Sequence, residues 1–221
     1  MSVIKNILIS CEHGGNQIPM RYRTFFDEQG IEKNDIWNRS TLDLALSLSE
    51  KLDVPCFTHQ TSRLLVDVNL SLGNESLFYL DTSLLGDAER QSILERYYFP
   101  YRLRVENTIT MSEKAVLHLS IHTSFVQAAD VVIVFNSERL VEKECVVVLT
   151  EALKSSSYPL PFALHDISGM DDAGFVQYLR TRFDEESYAG FTLIVHPRLI
   201  EGENIVAFTN QLSQALSFLR S

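Results

Sequence analysis

The sequence predicts a layered α/β domain, and three observations carry that expectation. Short apolar runs of strand length alternate with longer stretches whose apolar residues recur at helical spacing, the pattern of a sheet covered by helices. The chain has 221 residues, enough for one domain with a sizeable core. Hydrophobic residues make up 45% of it and charged residues 22%, a balance that excludes a disordered, fibrous or low-complexity chain.

Taken in order, residues 3–10 form an apolar run that ends in Cys11-Glu12-His13-Gly14-Gly15, which reads as a buried strand entering a tight turn. Apolar residues at 42, 44, 45, 46, 48 and 52 predict a helix over 42–52 with Ser40 or Thr41 as its N-cap. Residues 54–57 and 63–68 read as strands. The stretch 87–110 is amphipathic and helical, with an interruption expected near Pro100, whose ring removes a backbone donor. Further strands are expected over 115–121, 130–135 and 190–196, and helices over 138–155, 175–183 and 203–219. Ser155, Ser156 and Ser157 followed by Pro159 and Pro161 mark a loop, not a linker, and no repeat is present. Residues 1–221 are therefore read as a single domain.

Nineteen Lys and Arg stand against 29 Asp and Glu, a formal net charge of -10. With no basic run, nucleic acid and anionic membrane surfaces are not expected partners. No apolar stretch approaches the roughly 20 residues that span a bilayer. Glu12 and His13 fall where a secretory signal would need small residues for cleavage. Cys11, Cys56 and Cys145 are odd in number and form no C-x-x-C pair. Neither a disulfide framework nor a thiolate zinc site is indicated, and a reducing cytoplasm is the expected location.

Open α/β sheets place their sites beyond the C-terminal ends of strands, and His13 and His122 both fall there. In Leu117-His118-Leu119-Ser120-Ile121-His122 the period of two puts His118, Ser120 and His122 on one face, with His118 one layer deeper. Each histidine alone reads equally as an ordinary satisfied side chain; the pair raises the alternative of a metal site. A catalytic zinc takes three protein ligands and leaves a fourth position open. The carboxylates on offer are Asp35 and Asp43, near the start of the first helix, and then Glu12, which in extended chain points away from His13. Asp43 equally suits a helix-dipole role. In the apolar stretch from Ser62 to Asn69, Arg63, Asp67 and Asn69 share parity, so Arg63 is either a carboxylate clamp or half of a buried ion pair with Asp67. Tyr97, Tyr98, Tyr101, Arg102 and Arg104 read as a helix surface packed on the sheet, with Arg102 the one expected to reach a pocket. Cysteine hydrolase chemistry at Cys11 has only its neighbour His13 in its favour, and adjacent strand residues point apart.

Four segments occur in a telling order: S-C-E-H-G-G-N-Q-I-P, S-R-L-L-V-D-V-N-L-S-L-G, Y-Y-F-P-Y-R-L-R-V-E and L-H-L-S-I-H-T. With them the chain resembles the N-formylglutamate amidohydrolase family, over roughly residues 7–135. The resemblance implies a three-layer α/β/α fold with a mixed, mostly parallel sheet similar to zinc-dependent exopeptidases. It implies hydrolysis of the amide of a small N-acyl, possibly N-formyl, amino acid. It also implies one zinc ion on His13, His122 and a carboxylate such as Asp35 or Asp43, with Arg63, Asn69 and Arg102 on the substrate side. Four positions depart from the family pattern. Asn38 stands where an aspartate is usual, Leu70 follows Asn69 in place of an arginine, and Thr192 and Ile194 occupy the strand expected to bring an acid. His196, before Pro197, reads as an ordinary strand-end histidine. Two functions follow, a metal-dependent amidohydrolase or a descendant that keeps the fold and binds a small molecule or a protein.

Overall fold

Alternating apolar runs become six strands: β1 (Asn6–Cys11), β2 (Cys56–Thr58), β3 (Val116–Thr123), β4 (Val131–Phe135), β5 (Phe162–Asp166) and β6 (Tyr188–Val195). The computed structural model describes residues 6–26, 37, 39–79, 85–125, 129–155, 161–170 and 174–220. The strands lie in the order β2-β1-β3-β6-β4-β5. Only the β4–β6 pair is antiparallel; the other four pairs are parallel, so the sheet is mixed and mostly parallel, as expected.

Among the described residues six α-helices cover it: α1 (Arg39–Leu52), α2 (Asp87–Ile93), α3 (Phe99–Thr110), α4 (Leu140–Lys154), α5 (Phe175–Arg182) and α6 (Asn204–Ser217). Strand alternation divides the apolar residues into two cores. Ile9, Leu119 and Phe191 meet Leu48 of α1, Leu149 of α4 and Leu212 of α6 on one face. Leu8, Val116 and Tyr188 meet Tyr101 and Val105 of α3 and Phe175 of α5 on the other. The result is a three-layer α/β/α arrangement. No described helix is long and apolar enough to cross a membrane.

Three expectations need correction. Residues 63–68 are not a strand. Leu64 to Val68 are all buried in succession, and their amides bond within turns or to a neighbouring loop: Leu65 to Ser62, Asp67 to Leu77 and Leu70 to Asp67. Valines alternating with Asp67 and Asn69 imitate a period of two, but a chain buried on all sides has no solvent face to alternate with. Second, β5 was not expected; it is a short edge strand with an exposed Leu164, and it lacks the apolar run of the inner strands. Third, α1 starts at Arg39, so Ser40 and Thr41 lie inside the helix, and Thr41 donates its hydroxyl to Thr123 Oγ1 at 3.0 Å. Pro100 falls in the first turn of α3, where its missing amide costs little. The interruption lies just before it, in a π-helical segment, Leu94–Tyr98.

Candidate functional site

Parallel pairing of β1 and β3 aligns Leu8 with His118 and Ser10 with Ser120, so the same step brings Glu12 level with His122. All these side chains belong to the face covered by α3 and α5. Ser10, Glu12, His118 and Ser120 are fully buried. Beyond Cys11 the chain turns, which frees His13 from strand alternation and swings it toward His122. Gly15 makes the turn possible: a Cβ there would fall 2.0 Å from the Gln60 carbonyl oxygen, where the loop after β2 crosses.

The two imidazoles stand edge to face with centroids 5.0 Å apart. His13 Nε2 lies 2.9 Å from Asp67 Oδ1, which also accepts from the Asn69 amide at 3.0 Å. Arg63 approaches Asp67 Oδ2 at 2.8 Å as an ion pair. His122 Nε2 lies 2.8 Å from Ser120 Oγ and 3.3 Å from Glu12 Oε2. Ser120 donates to Glu12 Oε2 at 2.7 Å, and Tyr101 donates to Glu12 Oε1 at 3.0 Å. Behind this pair His118 sits between Ser10 Oγ, at 2.7 Å, and the Tyr188 hydroxyl, at 2.9 Å.

Burial works against every charge in this cluster, and contacts decide which charges survive. Burial raises the Glu12 carboxyl most, but His122, His118 and Ser10 together outweigh it and hold Glu12 below the usual carboxylate range. Asp67 is likewise raised by burial and brought down further by His13 and Arg63. Burial pushes His13 down, with Asp67 opposing. His59 and His118, each pushed down to about 4 mainly by burial, are neutral at pH 7.

The structure brings His13 and His122 together, as the sequence predicts. It also places Glu12, ranked last among the carboxylates, against His122. Glu12 does point away from His13 along the strand, but the site lies on Glu12's face, and it is His13 that turns. Asp43 lies beyond the first turn of α1, half-exposed and ion-paired with Arg39 at 3.1 Å, so the helix-dipole role does not describe it. Asp35 and Asn38 lie outside the described residues. Arg63 resolves to the ion pair with Asp67, not in a strand but across a turn, with its side chain 35% exposed beside the site.

Asn69 Oδ1 accepts from the Phe175 amide at 3.2 Å and so caps α5. Arg102 does not reach an open pocket. It is buried, donating to the Leu70 carbonyl at 2.9 Å and the Tyr98 hydroxyl at 2.6 Å, with its guanidinium over Tyr178 and Phe175. Cys11 faces the opposite core, and burial with the Glu12 charge pushes its thiol well up, which removes the thiolate route. His196 accepts from the Arg198 amide and caps a short turn. The histidine that sequence reasoning missed is His59, buried at the end of β2 with Nε2 unpartnered and its ring 5.3 Å from Tyr101. Its position after an apolar strand was the available signal.

Whether this cluster suits a metal is a question of its donors. Both rings of the pair turn Nε2 toward a carboxylate, directly for His13 and with Ser120 for His122, which is the support that metal-ligating histidines receive. Of the two buried carboxylates only Asp67 has a guanidinium partner, Arg63, so the buried charge favours a further cation. The pair therefore fits zinc. Among the described residues no group of three His, Cys, Asp or Glu is placed to hold an ion, so a full ligand set needs a residue beyond them.

A family model described as N-formylglutamate amidohydrolase matches residues 5–162. The gene product Atu2144 of Agrobacterium tumefaciens has a similar structure, with a TM-score of 0.79 at 20% identity over 96% of this chain and 90% of that one. An N-formylglutamate amidohydrolase from Ralstonia eutropha JMP134 aligns with a TM-score of 0.67 at 17% identity, over 98% of this chain and 92% of its own. At these identities the likeness is one of fold. None of the curated proteins compared matches the sequence.

Proposed function

The chain belongs to the N-formylglutamate amidohydrolase family, and from that membership we propose that it hydrolyses the amide of a small N-acyl amino acid with one zinc ion held by His13 and His122. The observation that carries this reading is the pair of imidazoles, 5.0 Å apart and each backed by a buried carboxylate. Asp35 is the residue proposed to complete the site. Zinc, when bound, supplies Lewis acidity and a nucleophile at neutral pH.

The chain's own residues set the rest. Asp67 holds the His13 ring and Glu12 the His122 ring. Arg63, partly exposed beside them, orients the carboxylate of the amino-acid part, while Asn69 and Arg102 fix the loop that carries Asp67. Leu70 offers no guanidinium for a second carboxylate. Thr192 and Ile194, paired in register with Ser120 and His122, offer no group for proton transfer. Acid-base assistance contributes about 10²- to 10⁴-fold, so turnover is slow, and N-acyl derivatives of less acidic amino acids are better substrates than formylglutamate. Three free thiols suit a cytoplasmic setting.

The test is metal analysis of protein purified without chelators, followed by a panel of N-acyl amino acids. The expected result is one zinc per chain, lost in His13→Ala, His122→Ala and Asp35→Ala, with formylglutamate the poorer substrate. Efficient formylglutamate turnover overturns the specificity. Absence of both zinc and turnover moves the reading to a small-molecule binder, which Leu70 and Ile194 favour.

A further inference from the structure

The protons around Glu12 can be counted. An ionised carboxylate accepts hydrogen bonds and donates none. Ser120 has a single O–H, and it points to Glu12 Oε2 at 2.7 Å. Only lone pairs of Ser120 Oγ remain for His122 Nε2 at 2.8 Å. With Glu12 ionised, the count closes when that nitrogen carries a proton, for which Glu12 Oε2, 3.3 Å away, is a second acceptor. Tyr101 directs its own hydroxyl proton to Oε1. Among the described residues no lysine or arginine pairs with Glu12. Its partners are hydroxyls and a ring, all of which turn their protons toward it.

We propose that Glu12 is a positioning residue that fixes His122 as the Nε2–H tautomer, leaving Nδ1 as the ring's lone pair for whatever the site holds. The inference rests on the reading of His13 and His122 as the active pair, and it assigns Glu12 to the histidine, not to the ligand set. His13 is locked in the same tautomer by a different carboxylate, Asp67, and so serves as an internal reference.

The experiment records multiple-bond ¹⁵N–¹H spectra of the histidine rings in the full chain, without metal and at a pH above the ordinary histidine range. In the wild type, His13 and His122 are both expected as Nε2–H. In Glu12→Leu the freed Ser120 hydroxyl can donate to His122, and the ratio of its tautomers is expected to move at least tenfold toward Nδ1–H while His13 stays unchanged. Zinc affinity, titrated by calorimetry on the same variant, should fall by about 10- to 100-fold. A His122 that is Nδ1–H in the wild type, or unchanged in Glu12→Leu, overturns the proposal. If Glu12→Leu does not fold, Ser120→Ala decides: the carboxylate then contacts His122 directly and keeps it Nε2–H, whereas an Nδ1–H ring overturns the proposal. A chain that shows this dependence but neither binds zinc nor hydrolyses any substrate refutes the hydrolase reading alone.

Discussion

Among the described residues two glutamates, Glu12 and Glu142, are fully buried, and they are satisfied in opposite ways. Glu142, in the first turn of α4, receives Arg180 Nε and Nη2 at 2.9 Å each, the Gly190 amide at 3.1 Å and the Asn136 amide at 2.9 Å. Its charge meets a permanent opposite charge in bidentate geometry, and the contacts tie α4, α5 and β6 together. Glu12, at the end of β1, has only hydroxyls and an imidazole. The first carboxylate is closed, with its charge balanced within the protein. The second is held ionised by groups that carry no fixed positive charge, so its surroundings remain receptive to a cation. The two glutamates thus differ not in burial but in whether a fixed cation sits on them.

The contrast breaks most visibly at Arg180. Replacing it with Met strands the Glu142 charge, and unfolding in urea should show a loss of about 3 to 5 kcal/mol. Adding Glu142→Gln should recover part of that loss, because the stranded charge goes with it. A single-variant loss no larger than that of a surface substitution would dissolve the distinction.

Acid comes next in size. His59 and His118 have folded-state pKa values lowered to about 4 by burial. The unfolded chain takes up their protons below its ordinary pKa near 6.5 while the folded chain does not, so their contribution is complete above about 6.5 and is lost as pH falls toward 4. Each group supplies a slope of up to about 1.4 kcal/mol per pH unit in that window, reaching about 3 kcal/mol. The carboxylates Glu12 and Asp67, with lowered values, lose theirs only at more acid pH. Urea midpoints measured from pH 7 to 4 check this, and a flat profile would mean that the two rings are protonated in the fold.

Smaller still is Glu12→Gln, expected to change stability by less than about 2 kcal/mol, since the network loses charge-assisted hydrogen bonds but strands no ion. Smallest is Arg63→Gln, at about 1 kcal/mol or less for a pair open to water on one side. Its main effect should be a raised KM on the N-acyl amino acid substrate. A melting temperature that collapses in Arg63→Gln would show that the ion pair carries the loop.

Much of the fold was legible because each core strand carries one continuous apolar face and the helices repeat at 3.6. Leu117, Leu119 and Ile121 announce β3, and Leu44, Ala45 and Leu48 announce α1. What escaped was governed by contacts between distant segments. The Leu64 to Val68 stretch shares one buried cluster with Ile93 of α2, Tyr101 of α3 and Phe175 of α5, and no local pattern separates a buried turn from a buried strand. At the site, His13 and His122 were legible as strand-end histidines. The rank of Glu12 was not, because it depended on where β1 ends: one further strand residue would have turned His13 to the other face. The motif places Arg102 on the substrate side, yet two of the three rings around it, Phe175 and Tyr178, come from α5, some seventy residues away.

The π-helical segment Leu94–Tyr98 says something about how this gene can vary in length. A π turn holds one residue more than the α-helix would need to join the same two flanks. Losing one codon there, at exposed Glu95 or Arg96, lets the segment rewind as α-helix while α2 and α3 keep the faces they present to the sheet. The same loss two turns later, inside α3, rotates everything beyond it by about 100° and drags Val105 and Ile109 out of the core. Natural relatives that differ by a single residue in this stretch are expected to gain or lose it between positions 94 and 98, where inheritance can change the length of the chain without changing the direction in which Tyr101 points.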